Sequence, residues 1–263
     1  MLWLAVAVAL MLSGAMALAW RIALTTGQSG RIDGVWAFAT GLAAVVAAAA
    51  SQGDPARRIL VCAMAAAWSL RVGLYLWRRA IGGPDDPRYA ALKQSWGESA
   101  PRRLFLFLQI QAVASWPLAL TAYCAAVAPR PGLDVRDGLA IALFVLAFAG
   151  ETIADRQMAR FKQAPANRGR ICDQGLWAWS RHPNYFFEWL SWLAYPVMAI
   201  GVGHPAGWLT LSGPLIIYWL LVHVSGVPPL EAHLSRSRPA EFAAYAENVS
   251  AFWPRRPRAL AKP

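Results

Sequence analysis

The stretch Gln174–Leu193, QGLWAWSRHPNYFFEWLSWL, decides how this chain is read, because it sets Arg181, His182, Asn184 and Glu188 at the mouth of a run otherwise suited to lipid. Ionisable groups inside a membrane are costly, and they face one another or a functional pathway. Proline is tolerated in the first turn of a helix, so His182-Pro183 reads as a helix start. The i, i+4 spacing then puts Asn184 and Glu188 on one helical face. Glu188 sits five residues past Pro183, roughly 7 Å deep at about 1.5 Å per residue.

Working outward, the rest of the chain is written for the same solvent. Hydrophobic residues make up 57% of its 263 residues, 14 are Trp, and the mean hydropathy is +0.37. That composition excludes an ordinary soluble domain. Crossing a hydrocarbon core of about 30 Å takes roughly 17–25 apolar residues. Seven such spans are predicted, at about 2–20, 34–51, 59–77, 104–128, 137–154, 183–203 and 207–227. The expected fold is therefore all-α, a polytopic membrane protein forming one domain over 1–263. The first run is followed by small residues at a cleavage-like spacing, but no Lys or Arg precedes Arg21, so it reads as a span and not as a signal peptide.

Orientation follows from the basic residues. With seven spans, alternate compartments hold 20 and 4 of the 25 Lys and Arg, and Arg71 lies inside the third span. The rich set marks the cytoplasm, which puts the N-terminus outside and the C-terminus inside. The net charge of +11 then reflects topology and attraction to anionic lipid rather than nucleic-acid binding. The Pro-rich end WPRRPRALAKP reads as a basic tail at the headgroups. The long connections, near 78–103, 155–182 and 228–263, all fall on the inner side, where the chemistry is expected.

The fifth span ends in GETIADRQMARFK, which puts Glu151 and Asp155 on one face near the inner surface. Arg71, seven residues before Arg78, lies roughly 10 Å deep. Each residue has a plain structural reading: Arg71 snorkelling or bridging Glu188, and the acids marking a helix end. Together they predict a polar, water-accessible cavity. Asn184 has no evident partner in the sequence. The four histidines never take a metal-ligand spacing, and Cys62, Cys124 and Cys172 form neither CxxC nor a disulfide framework, so no metal site is expected. A helix start next to Arg181 suits an anion, as does the basic set Arg156, Arg160, Lys162, Arg168 and Arg170. A Rossmann GxGxxG, a GxSxG elbow and an intramembrane Schiff-base lysine are all absent.

The segments QGLWAWSRHPNYFFEWLSWLAY, ETIADRQMARFK, SGVPPLEAHL, EFAAYAENVSAFWP and DDPRYAALKQSWG resemble a bacterial branch of the steroid 5α-reductase family, over about Arg71 to Pro254. The resemblance implies seven helices in a bacterial cytoplasmic membrane. It also implies an NADPH lodged from the cytoplasmic side, which reduces a carbon–carbon double bond conjugated to a carbonyl in a lipophilic substrate. By motif, Asp155, Asn184 and Glu188 match residues at the cofactor, Arg170 a basic loop residue, Tyr245 the tail that closes the pocket, and Arg71 an intramembrane arginine. Glu151, Lys162, Arg168, Arg181, His182, Tyr185 and Glu231 complete the expected cofactor set. The Gln-Glu pair of the steroid-reducing members has no counterpart in the second span, and Trp68 takes their tyrosine position. Asp33 and Tyr75 remain, with Arg71 and Glu188, as candidates for the chemistry. Trp36, Trp68, Trp177 and Trp179 are candidates to line an apolar pocket.

SRHPNY and the tail also resemble isoprenylcysteine and phospholipid methyltransferases, which use S-adenosylmethionine. Those carry a Glu-Glu pair in the tail, where this chain has Glu231 alone. A non-catalytic lipid-binding or transport protein is the third reading.

Overall fold

The computed structural model describes residues 2–81 and 85–257; the end of the expected basic tail, 258–263, lies outside the described residues. Every element among the described residues is helical. Apart from short 3-10 and π turns, they are α1 (Leu2–Thr26), α2 (Arg31–Ala49), α3 (Pro55–Ala80), α4 (Pro87–Trp96), α5 (Ala100–Ala126), α6 (Val135–Gln163), α7 (Pro183–Trp192), α8 (Ala194–Ala199), α9 (Ser212–Trp219), α10 (Val227–Ser237) and α11 (Pro239–Asn248).

Six helical stretches among the described residues are long and apolar enough to cross a membrane: Leu2–Thr26, Arg31–Ala49, Pro55–Ala80, Pro87–Ala126, Val135–Gln163 and Pro205–Ser237. The chain is a multi-pass membrane protein. The expected span at 183–203 is not among them, because it divides into α7 and α8 at Leu193. Pro196 has no N–H to return to the Trp192 carbonyl, so the ladder of α7 cannot run through it. Outward-facing Leu10, Leu70, Ile110 and Val113 are each more than half exposed, as lipid-facing positions require and water would not tolerate.

The chain groups into two compact units. The first holds the residues to Gly138 together with Tyr195–Ile216; the second holds Leu139–Ala194 and the residues from Ile217 on. In the first unit, Val8, Leu12 and Met16 of α1 share a core with Ala39, Ala43 and Ala47 of α2 and with Leu104 and Leu108 of α5. Small residues let membrane helices approach closely. A Cβ at Gly41 would lie 2.0 Å from that of Ser69 on α3, whose hydroxyl donates to the Ala37 carbonyl at 3.1 Å.

The start of α3 is locked by charge. Asp54 caps it, accepting from Ala56 N at 2.9 Å, and also takes Gly132 N at 2.8 Å. Those backbone donors, Gly132 first, hold its carboxyl below the usual aspartate value. Arg57, expected as an outer-loop charge, is fully buried. It donates to Asp137 (Nε–Oδ1 3.0 Å, Nη2–Oδ2 2.9 Å) and to the carbonyls of Ala128, Arg130 and Gly132.

Candidate functional site

In the second unit a glycine lets α6 and α7 meet. A Cβ on Gly150 would sit 2.4 Å from the Phe187 ring. Their chain neighbours Glu151 and Glu188 are both buried, and so is Asp155, one turn along α6. Asn184 Nδ2 donates to Asp155 Oδ1 at 3.3 Å, which gives Asn184 a partner the sequence does not reveal. Glu188 Oε1 accepts from Trp192 Nε1 at 3.3 Å. Three buried carboxylates and an amide thus come from two packed helices.

The segment before α7 is pinned to α6. Gly175 has φ +59° and faces the Gln157 side chain, which a Cβ would strike at 2.6 Å. Gln157 Oε1 accepts from Leu176 N at 2.9 Å, and Trp177 Nε1 donates to the Ala154 carbonyl at 3.0 Å. The Trp177 carbonyl accepts from Tyr245 Oη at 2.6 Å. Burial pushes that phenol above its ordinary value, so it remains a donor at neutral pH.

The C-terminal segment continues the same seam. Ser180 Oγ donates to the Phe252 carbonyl at 2.9 Å, Arg181 N to Ser250 O at 2.8 Å, and Arg255 N to Trp179 O at 2.9 Å. Arg181 meets Glu231 along both carboxylate edges (Nε–Oε1 2.8 Å, Nη2–Oε2 3.0 Å), while its Nη1 caps the carbonyls of Val249 at 2.6 Å and Ala246 at 3.2 Å. His182 Nε2 lies 3.1 Å from Glu231 Oε1, and its ring stacks on Tyr185 at 5.4 Å. The expectation that Arg181 holds a phosphate therefore meets a guanidinium already spent on protein acceptors. Glu231 and Tyr245, expected at a cofactor, are likewise engaged within the seam. Lys162, Arg168 and Arg170 are exposed, as are Arg156 and Arg160.

The remaining candidates belong to the first unit. Arg71 and Tyr75 lie one turn apart on α3, both half-buried. Asp33, in the first turn of α2, accepts from Arg88 Nη2 and from Tyr89 Oη, the latter at 2.8 Å. Tyr89 accepts in turn from Gln111 Nε2 at 3.4 Å, and Asp86 holds Arg88 at 2.8–3.0 Å. This network is missed by the sequence reading, although Asp86-Pro87 is a helix-start signal that places Arg88 and Tyr89 in a first turn. Trp36 and Trp68 pack edge to face at 6.1 Å, with Trp36 Nε1 bonded to Ser115 Oγ at 2.7 Å. Of the other two tryptophans, Trp177 is buried and Trp179 exposed.

The chain is similar to a protein of Schizosaccharomyces pombe titled "Uncharacterized protein C594.04c", 27% identical over 226 residues. That match takes in 76% of this chain and 64% of the relative, so the chain spans under two thirds of that protein's length. No solved structure matches it. A family model matches residues 19–249, and the chain belongs to the family described as "Protein of unknown function (DUF1295)".

Proposed function

We propose that this protein is a membrane reductase of the steroid 5α-reductase type, with seven membrane passages and a cytoplasmic C-terminus, which uses NADPH to reduce a conjugated carbon–carbon double bond in a lipophilic substrate. The observation that carries the reading is the set of buried carboxylates Glu151, Asp155 and Glu188 where α6 meets α7, with the half-buried Asn184 bonded to Asp155. A bundle that only anchors a protein in lipid has no need of such groups, and intramembrane acids mark functional sites. The donor set fits the cofactor. Carboxylates and an amide suit ribose hydroxyls and a carboxamide, and the exposed Lys162, Arg168 and Arg170 supply charge for phosphates. When bound, the cofactor supplies the hydride; the protein's part is to hold, orient and keep water out. Arg181, spent on Glu231, is assigned to the frame and not to the phosphates.

The methyltransferase reading shares the SRHPNY motif and is separated by one experiment. NADPH at about 100 times its dissociation constant should stabilise the detergent-solubilised protein by about 2.7 kcal/mol. S-adenosylmethionine should leave the melt unchanged. The reverse pattern assigns the site to methyl transfer.

A further inference from the structure

Glu231 Oε1 is shared by two donors on adjacent residues, Arg181 Nε at 2.8 Å and His182 Nε2 at 3.1 Å. Its other oxygen takes Arg181 Nη2 at 3.0 Å. A carboxylate gripped along both edges by a guanidinium is an acceptor only, so the imidazole nitrogen facing it has to carry the hydrogen. In a neutral ring that leaves Nδ1 as a bare lone pair, because the bond made by one nitrogen sets the state of the other. The ring is held as well as polarised. His182 N donates to Ser180 Oγ at 3.1 Å, the His182 carbonyl accepts from Phe186 N at 3.1 Å, and the imidazole stacks on Tyr185 at an interplanar angle of 7°. Glu231 also cancels the charge of Arg181. With a neutral ring, the start of α7 therefore offers neither the cation nor the ring N–H that an anion would need from these two residues.

We propose that Glu231 is a positioning residue: it fixes His182 with hydrogen on Nε2, so that Nδ1 is the acceptor for a hydroxyl or amide N–H of the ligand held at the start of α7. The identity of that ligand as a nucleotide cofactor rests on the function proposed above; the fixing of the ring does not. The two are separable by experiment.

Full-length protein labelled with ¹⁵N-histidine, in detergent, reports the tautomer of each of its four histidines by NMR, and the H182N spectrum assigns the His182 signal. The wild type should show one tautomer, with hydrogen on Nε2. In E231Q the amide can turn either end towards the ring, so a mixture of tautomers is expected and NADPH binding should weaken about tenfold, roughly 1.4 kcal/mol. E231D should restore the single tautomer and most of the affinity, a rescue that a merely structural contact does not require. Hydrogen on Nδ1 in the wild type overturns the proposal. So does an E231Q protein with unchanged tautomer and unchanged affinity. A wild type that keeps the Nε2 tautomer, loses it in E231Q and binds no NADPH upholds the positioning role and removes the reductase reading instead.

Discussion

Arg181 lies edge to edge with Glu231, two parallel bonds of 2.8 and 3.0 Å joining the residue before the helix-start histidine of α7 to the middle of α10. Residues 50 apart in sequence are thereby held as one frame, and the two carbonyls capped by the remaining guanidinium nitrogen extend it to the end of α11. Bidentate pairs of this kind are geometrically specific as well as charge-assisted.

The frame should behave as a coupled unit. Arg181→Ala strands the Glu231 carboxylate and two backbone carbonyls in a half-buried place, and should destabilise the protein by about 2–4 kcal/mol. The Arg181→Met, Glu231→Leu double variant should recover much of that loss, because neither charge is then left alone. Thermal melts of the single and double variants measure both. Additive losses would show that the two side chains act independently.

A deeper pair allows a cleaner version of the same test. Arg57 and Asp137 are both essentially inaccessible to solvent, and removing one partner of a buried pair costs about 3–5 kcal/mol. Arg57→Met should therefore be the most destabilising single change among those considered, with no specific effect on ligand affinity in whatever folded fraction remains. A melt within a degree or two of the wild type would contradict the burial of this pair.

Asp86 sets a pH dependence at the start of α4. Burial alone would raise its carboxyl, but the hydrogen bond and charge of Arg88 outweigh that, and the pKa falls below the ordinary aspartate value of 3.8. A lowered folded-state pKa contributes stability that is present above the unfolded value and is lost as pH falls through the folded one. Asp86→Asn should thus lower the melting temperature at pH 6, and the gap to wild type should narrow progressively below about pH 4. A gap that does not change with pH would assign the loss to the capping bond from Arg88 N alone.

Much of this molecule is written in local pattern. Apolar runs locate α1, α2, α3, α5 and α6, and the i, i+4 spacing puts Glu151 and Asp155 on one face of α6, where both are buried. The reading falters where structure depends on what one helix meets on another. Asn184 needs Asp155, and that contact follows from the depth at which Gly150 lets Phe187 settle, which neither segment states by itself. Arg57 and Arg181 look like topology markers because basic residues near helix ends usually are; only the fold shows their acids, 80 and 50 residues away. The break at Leu193 was legible in Pro196, but the hydrophobic run around it reads as continuous when hydropathy is taken alone.

On the proposed function, the exposed Lys162, Arg168 and Arg170 hold the phosphates without Arg181. Changing Arg168 and Arg170 together to Ala should weaken NADPH about tenfold or more, equivalent to roughly 1.4 kcal/mol, while NADH, which lacks the extra phosphate, should lose less. Equal losses for both cofactors would place these arginines away from that group. Titrations at fixed ionic strength make the comparison, since exposed charges are readily screened.

On the proposed function, the carboxylates and amide at the α6–α7 contact bind a nicotinamide cofactor. Its most direct measurement is energy transfer from the protein's tryptophans to bound NADPH, titrated into wild type, Asn184→Ala and Glu188→Gln in detergent, with a melt of each to confirm the fold. Saturable transfer in the wild type, weakened about tenfold or more in both variants at unchanged fold, is the predicted result. Saturable transfer of equal affinity in all three proteins, or none in the wild type, would rule out a nicotinamide site at this contact.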